Sequence, residues 1–359
     1  MNKKVDKKMY LLFPLVLIYV SFLMSSAFST ENRVNVDNSP ALLTVNDSII
    51  YISSCGVLDQ EGKTYVLTND IFTQDNCFVI EANDIILDGN GYKISSSVGY
   101  QSAGVFGYNL HNVEVKNLII DNFYYGIYFN IMDLATVKNN NITGAFGGIY
   151  FVGVSNNFVS NNYIINPTTG IRTSGLPPSF GNSYIDNTIV NSSLFGFRLI
   201  GESDFVIRGG KIKGSHASAI FLTSYNWRVD NVSVAETYTG NYDLWVQDPQ
   251  ISLHADNRLI NPSGIGRYNL GGNAGGSDPI NLTIQNQFGE IRFLQAVNGS
   301  GNNLSDDIQI KNNSVSVKVG QNPGFNKPAQ ITLYNIGNRG FVNPVIKIVA
   351  LSQLSGSFL

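Results

Sequence analysis

Apolar residues return along this chain at a fixed interval, and particular polar residues return with them. "VKNLIIDN" begins at Val115, "VKNNNITG" at Val137 and "VSNNYIIN" at Val159, each start 22 residues after the last. Phased on a small residue, the repeat runs through Gly104, Gly126, Gly148, Gly170, Gly196 and Ser218. One interval is lengthened to 26 by the Pro-bearing "SGLPPSF" around Pro177. Eleven positions after the small residue stand Val115, Val137, Val159, Ile185, Ile207 and Val229. Five positions further on stand Ile120, Ile142, Ile164, Val190, Ile212 and Val234. Between these apolar columns lies a polar one: Asn117, Asn139, Asn161, Asn187, Gly209 and Asn231.

Short β-rich runs with period-two alternation, broken by Gly and Asn, predict strands and tight turns rather than helices. A unit of about 22 residues cannot bury its apolar side alone and must stack on copies of itself. The pattern therefore predicts an all-β fold, a right-handed single-stranded parallel β-helix with successive coils about 4.8 Å apart. Leucine-rich repeats of similar length need Leu columns, whereas this chain has Ile, Val and Phe. Val and Ile then fill the interior. The Asn column (Asn117, Asn139, Asn161, Asn187 and Asn231) is read as a structural ladder, since Asn tolerates left-handed turns and its amides can bond to their neighbours above and below. The helix is expected over residues 45–254, and a Gly/Asn-rich linker over 255–279. A small antiparallel, sandwich-like β-domain is expected over 280–350, where alternating strands such as "INLTIQN" and "EIRFLQAV" are parted by turn signals.

The first 29 residues have a different character. Four lysines precede an apolar run from Leu11 to Met24 and the small residues "SSAFS", the layout of a secretory signal peptide. The run is shorter than the roughly 20 residues needed to span a bilayer, so a membrane association is expected only if this segment stays uncleaved. Without it, 19 basic residues face 25 acidic ones, net −6 in place of −3 for the whole chain. A dilute acidic balance gives no footprint for nucleic acid. The only two cysteines, Cys55 and Cys77, suit one disulfide in an exported chain, secreted or at the cell surface. With three histidines and no CxxC, no metal site and no cofactor is expected. Eight Asn-x-Ser/Thr sequons, at Asn46, Asn141, Asn191, Asn231, Asn281, Asn298, Asn303 and Asn312, suggest a glycoprotein.

"CFVIEANDIILDGNGYKI", followed by Gly-Ile-x-Phe and Val-x-Asn-Asn-x-Ile coils, resembles the parallel β-helix repeat proteins. These include the periplasmic NosD-like proteins, the carbohydrate-binding and sugar-hydrolase (CASH) domains and archaeal cell-surface proteins. The resemblance covers roughly residues 50–254 and implies the fold. It implies no single function, because the same fold carries pectate lyases, epimerases, phage tailspikes and passive surface proteins. NosD is implicated in copper-site assembly, but His111, His216 and His254 are scattered and only four Met occur.

Candidate chemistry is concentrated in one outward column. Two residues after each small residue stand Phe106, Tyr128, Tyr150, Arg172 and Arg198. Aromatic faces stack on sugar rings and arginine forks bind carboxylates, so an extracellular polysaccharide or other glycan lying along the axis is the expected partner. Alternatively, the rings simply pack on one another and stiffen the sheet. Catalytic residues are not identified. The first reading is a non-catalytic module binding extracellular carbohydrate or other surface components; a carbohydrate-active enzyme (polysaccharide lyase, epimerase or hydrolase) is the second, with Glu202, Asp204, Lys211 and His216 as ionisable groups near the arginines.

Overall fold

A computed structural model of the chain describes residues 48–97, 101–175, 178–247, 255–273, 276–277 and 279–335. The expected signal segment, the Asn46 sequon, Pro177 and His254 lie outside the described residues. Three sheets, of 13, 12 and 8 strands, form a β-solenoid of about nine turns, each of roughly 23 residues. Within the coils the strands are parallel, as at Val115–Val137–Val159 on the 13-stranded sheet and Ile120–Ile142–Ile164 on the 8-stranded sheet. Ile127, Ile149 and Ile171 stack in the same way on the 12-stranded sheet. All nine side chains are buried. Burying an aliphatic side chain of this size stabilises by about 1.5–3 kcal/mol, and the columns repeat that gain at every coil.

The small-residue phase has a steric cause. A Cβ on Gly126 would lie 2.5 Å from the carbonyl oxygen of Gly148 and 2.6 Å from Cγ2 of Ile142. Glycine lets the backbone turn inward here while the residues on either side of the Gly-Ile pair, Tyr125 and Tyr128, both point out.

The corners are left-handed. Asn117, Asn139, Asn161 and Asn231 have φ of 54°, 57°, 53° and 51°, a region that costs most L-residues about 1–2 kcal/mol but that Asn visits readily. Asn187 departs from the expected column. Val159 pairs with Tyr184 and Ile164 with Ile189, so Ile185 and Val190 are not interior. The left-handed corner falls on Asp186, φ 52°. The extra residues enter in two places: the coil is 25 residues long at Ile164–Ile189 and 26 at Ile171–Phe197. Asn187 therefore aligns with Asn162.

That alignment places Asn187 in a buried amide ladder. Asn140 Nδ2 donates to Asn162 Oδ1 (3.0 Å) and Asn162 Nδ2 to Asn187 Oδ1 (3.0 Å). Each Oδ1 also accepts the backbone N–H of the Asn one coil earlier, at 3.1 Å. A second ladder runs through Asn157 and Asn182 and ends on Glu202, whose carboxylate accepts from Asn182 Nδ2 (2.8 Å) and from Tyr184 Oη (3.0 Å). Glu202 is fully buried. Burial pushes its pKa up to about 7, against the lowering effect of the bonds from Asn182, Tyr184 and Thr173.

The segment 255–279, expected as a linker, instead extends the solenoid. Asn257–Ile260 pairs with Arg228–Asp230, and Tyr268–Leu270 with Leu244–Val246, all in parallel. Leu282–Asn286 adds one more parallel strand. The direction then reverses: Gly289–Phe293 and Ala329–Leu333 continue the 13-stranded sheet antiparallel, and Gly299–Gly301 runs antiparallel to Tyr268–Leu270. Reversed strands and Phe325, packed against Tyr268 and Phe293, cover apolar surface that the last coil would otherwise expose. Tyr268 Oη donates to buried Asp307 at 2.7 Å, tying this cap to the helix. Residues 336–350 of the expected C-terminal domain lie outside the described residues. At the other end, Cys55 and Cys77 form the expected disulfide.

Candidate functional site

The outward column exists as a continuous ladder on the 12-stranded sheet. Phe106 pairs with Tyr128, Tyr128 with Tyr150, Tyr150 with Arg172 and Arg172 with Arg198. All five side chains are partly exposed. Tyr128 and Tyr150 stack with centroids 5.0 Å apart and planes 13° from parallel, and Phe106 lies 5.3 Å from Tyr128. Tyr125 packs 4.9 Å from Tyr150 and 5.1 Å from Tyr128. It fits because its neighbour in the next coil is Gly147, where a Cβ would stand 3.0 Å from the Tyr125 ring. Burial raises the Tyr125 hydroxyl to about 12, with help from Tyr124 and Tyr150, and raises that of Tyr128 as well. Both phenols therefore stay neutral and able to donate near neutral pH.

The ladder is longer than the sequence column suggested. Arg198 pairs with Phe221, Phe221 with Trp245 and Trp245 with Asn269. Phe221 lies 5.3 Å from Phe195 and 5.0 Å from Trp245. These rings were missed because the small-residue column had been carried to Ser218. The residue that follows Gly196 in the stack is Ala219, which shifts the ladder position from Ile220 to Phe221, a ring buried against Phe195 and Trp245. A 23-residue step after Gly196, in place of 22, finds Phe221.

Two arginines stand between the aromatic banks. The Arg172 guanidinium lies 4.3 Å over the Tyr150 ring, and that of Arg198 lies 5.8 Å over Phe195. Among the described residues no carboxylate is within ion-pair distance of either. Arg172 Nε is buried without a hydrogen-bond partner. Burial and the neighbouring Arg172 charge both lower the pKa of Arg198. A cleft of about 420 Å³ lined by Val79, Ile80, Glu81, Phe106 and Tyr108 opens at the N-terminal end of the ladder.

The ionisable groups near the arginines in sequence do not join them. Glu202 is interior, Asp204 is at a corner accepting from Asn226, and Lys211 is on the 8-stranded sheet. His216 packs on Tyr238, 4.8 Å between centroids. No group of three His, Cys, Asp or Glu able to hold a metal occurs among the described residues. Both cysteines are in the disulfide, and Met132 is buried in the core.

A family model described as "periplasmic copper-binding protein (NosD)" matches residues 83–261. Among the described residues this donor set does not fit copper. Among curated proteins none matches significantly. Solved structures with a similar fold include a Yersinia enterocolitica family 28 exopolygalacturonase (12% identity, TM-score 0.44), with 56% of this chain and 52% of that one covered. The bacteriophage CBA120 tailspike protein 2 enzymatically active domain (10%, TM-score 0.49) is covered over 67% and 41%, respectively. An alginate lyase from Paenibacillus sp. (12%, TM-score 0.41) is covered over 59% and 93%. The chain thus spans about half the length or less of the first two. At such identities and scores these likenesses carry no functional argument. The family match and the stack of parallel coils make this chain a NosD-like parallel β-helix protein.

Proposed function

We propose that this protein is a non-catalytic, exported module that binds extracellular glycan along the ladder of its 12-stranded sheet. The observation that carries this reading is the half-exposed ring column Phe106–Tyr128–Tyr150, held in register one coil apart. A stack of fixed rings presents a ribbed apolar surface of ring edges at low entropic cost, with phenol hydroxyls at its rim. A polymer lying along the axis would meet a ring at each of those steps. The periplasmic family and the disulfide are consistent with an extracytoplasmic, oxidising location. Binding without chemistry is supported by the placement of Glu202 in the interior, Asp204 at a corner and Lys211 on another sheet, whereas a glycosidase needs two carboxylates facing one site.

The test is a glycan array followed by titration of the best ligand. Tyr128→Ala and Tyr150→Ala should each weaken binding about fivefold or more, as loss of roughly 1 kcal/mol of ring contact would. Unchanged affinity in both folded variants would return the rings to a role in sheet packing.

A further inference from the structure

The ladder has an uneven charge pattern that the rings alone do not explain. Its aromatic banks, Phe106–Tyr128–Tyr150 on one side and buried Phe221 with partly exposed Trp245 on the other, bear no formal charge. The two steps between them are both arginine. Register partners on neighbouring strands lie about 4.8 Å apart, so two like charges face each other directly, an arrangement that is destabilising by itself. On the 13-stranded sheet stacked cations have an acid beside them: Lys116 and Lys138 meet Glu114 at 2.7 and 3.0 Å, and in the Arg228–Arg258 pair Arg258 meets Asp256 at 2.9 Å. Arg172 and Arg198 meet none among the described residues and are steadied by the Tyr150 and Phe195 rings instead. Arg172 is partly exposed, with its Nε buried and unpaired. An anion bridging the two forks would relieve the repulsion and accept from both, in the planar geometry that arginine favours for oxyanions.

We infer that Arg172 and Arg198 form an anion-recognition step within the glycan track, selecting a polymer in which an acidic sugar, carboxylated or sulfated, is flanked by neutral rings. This rests on the glycan-binding reading above and narrows its ligand class. On this ladder only two adjacent steps are cationic, so a polymer charged at every ring would set anions against the uncharged banks and an overall acidic chain, net −3.

The probes are chain-length-matched oligosaccharides of hyaluronan (alternating uronate and neutral sugar), unsulfated chondroitin, carboxyl-reduced chondroitin sulfate, polygalacturonate (acidic at every ring) and chitin (neutral). Calorimetric titration of the intact protein should show an alternating acidic oligosaccharide binding about tenfold or more tightly than the chitin oligosaccharide, the size of a good charge-assisted contact. Added salt should shrink that preference. Arg172→Gln and Arg198→Gln, each confirmed folded by circular dichroism, should erase the preference while leaving the weaker neutral binding in place. Unsulfated chondroitin and carboxyl-reduced chondroitin sulfate, each with one charged sugar in two, tell which oxyanion is preferred. Equal binding of acidic and neutral probes, tightest binding to polygalacturonate, or arginine variants that lose both ligands alike would overturn this inference and leave the ring track standing. No binding of any probe, together with a blank glycan array, would overturn both.

Discussion

Asn161 and Asn162 are adjacent and chemically identical, yet their substitution should differ several-fold in cost. Asn162 sits inside the turn. Its Nδ2 donates to the Val137 carbonyl at 2.9 Å and to Asn187 Oδ1 at 3.0 Å, while its Oδ1 accepts from the Asn140 backbone N–H and side-chain amide. Asn162→Ala removes four bonds at once and strips the buried Asn140 N–H of the acceptor that serves it. An orphaned buried donor costs about 1–3 kcal/mol, and each remaining lost bond about 0.5–1.5 kcal/mol when its partner keeps another contact. The sum is about 2.5–7.5 kcal/mol, with cooperativity along the ladder arguing against the lower end. Asn161 is exposed, at φ 53°. Alanine there costs only the left-handed backbone penalty, about 1 kcal/mol, and Asn161→Gly should be close to neutral.

Urea unfolding followed by tryptophan fluorescence suits the comparison, because Trp227 is wholly buried in the core and should report loss of the coils. The midpoint should fall strongly for Asn162→Ala and slightly for Asn161→Ala, at unchanged slope. An Asn161→Ala loss equal to or larger than that of Asn162→Ala would refute the ladder assignment and return the structural role to the left-handed column.

Three further outcomes are expected. Ile142→Ala should cost about 2–5 kcal/mol, as truncation of a fully buried aliphatic does, whereas Tyr128→Ala on the half-exposed face should cost well under half of that; chemical denaturation of both variants checks it. Reducing Cys55–Cys77, 22 residues apart, should remove roughly 3 kcal/mol in the chain-entropy model, and hydrogen exchange should then rise first in Thr64–Leu67 and Phe78–Ile80. Glu202, with a folded pKa of about 7 against an ordinary 4.5, binds its proton more tightly when folded, so its stabilising contribution is full below about pH 4.5 and is lost as pH rises toward 7. The loss is about 3 kcal/mol, and Glu202→Gln should flatten unfolding free energies measured across that window; a wild-type profile already flat there would refute the buried-proton reading.

The period of 22 residues was enough to show the solenoid because it reports packing that every coil shares. A Val or Ile must return wherever one strand lies on the next, and an Asn or Gly wherever a corner turns left-handed. Such columns survive in sequence as long as the coil length is constant. Between Ile164 and Phe197 it is not constant, and there the reading slipped. Counting all four extra residues before the strand at Tyr184 put Ile185 and Asn187 one place out, on positions that structure gives to Tyr184 and Asp186. A one-residue slip on a strand exchanges inside for outside, so it assigned the corner role to a buried ladder amide. Tyr184 in a Val column gave a cue, since its hydroxyl needs a buried partner, and Glu202 supplies it.

The C-terminal boundary was hidden for a related reason. The segment 255–279 is rich in Gly and Asn, the composition of a linker, yet its strands Asn257–Ile260 and Tyr268–Leu270 pair with the coil beneath. Their apolar residues are too few to mark a period, and the neighbouring coil supplies the register instead. The exposed ladder is different again. Its aromatic and arginine types follow from no packing rule, because an outward position on a solvated sheet tolerates nearly any side chain. What the fold contributes is their spacing. Glycine at 126 and 148 turns the Gly-Ile pair inward and leaves the outward residues one coil apart, so that ring stands over ring and, at Arg172 and Arg198, charge over charge. Packing accounts for the stacked rings. It does not account for two adjacent cations without an acid, and that asymmetry gives the arginine variants their value as a test of ligand rather than of fold.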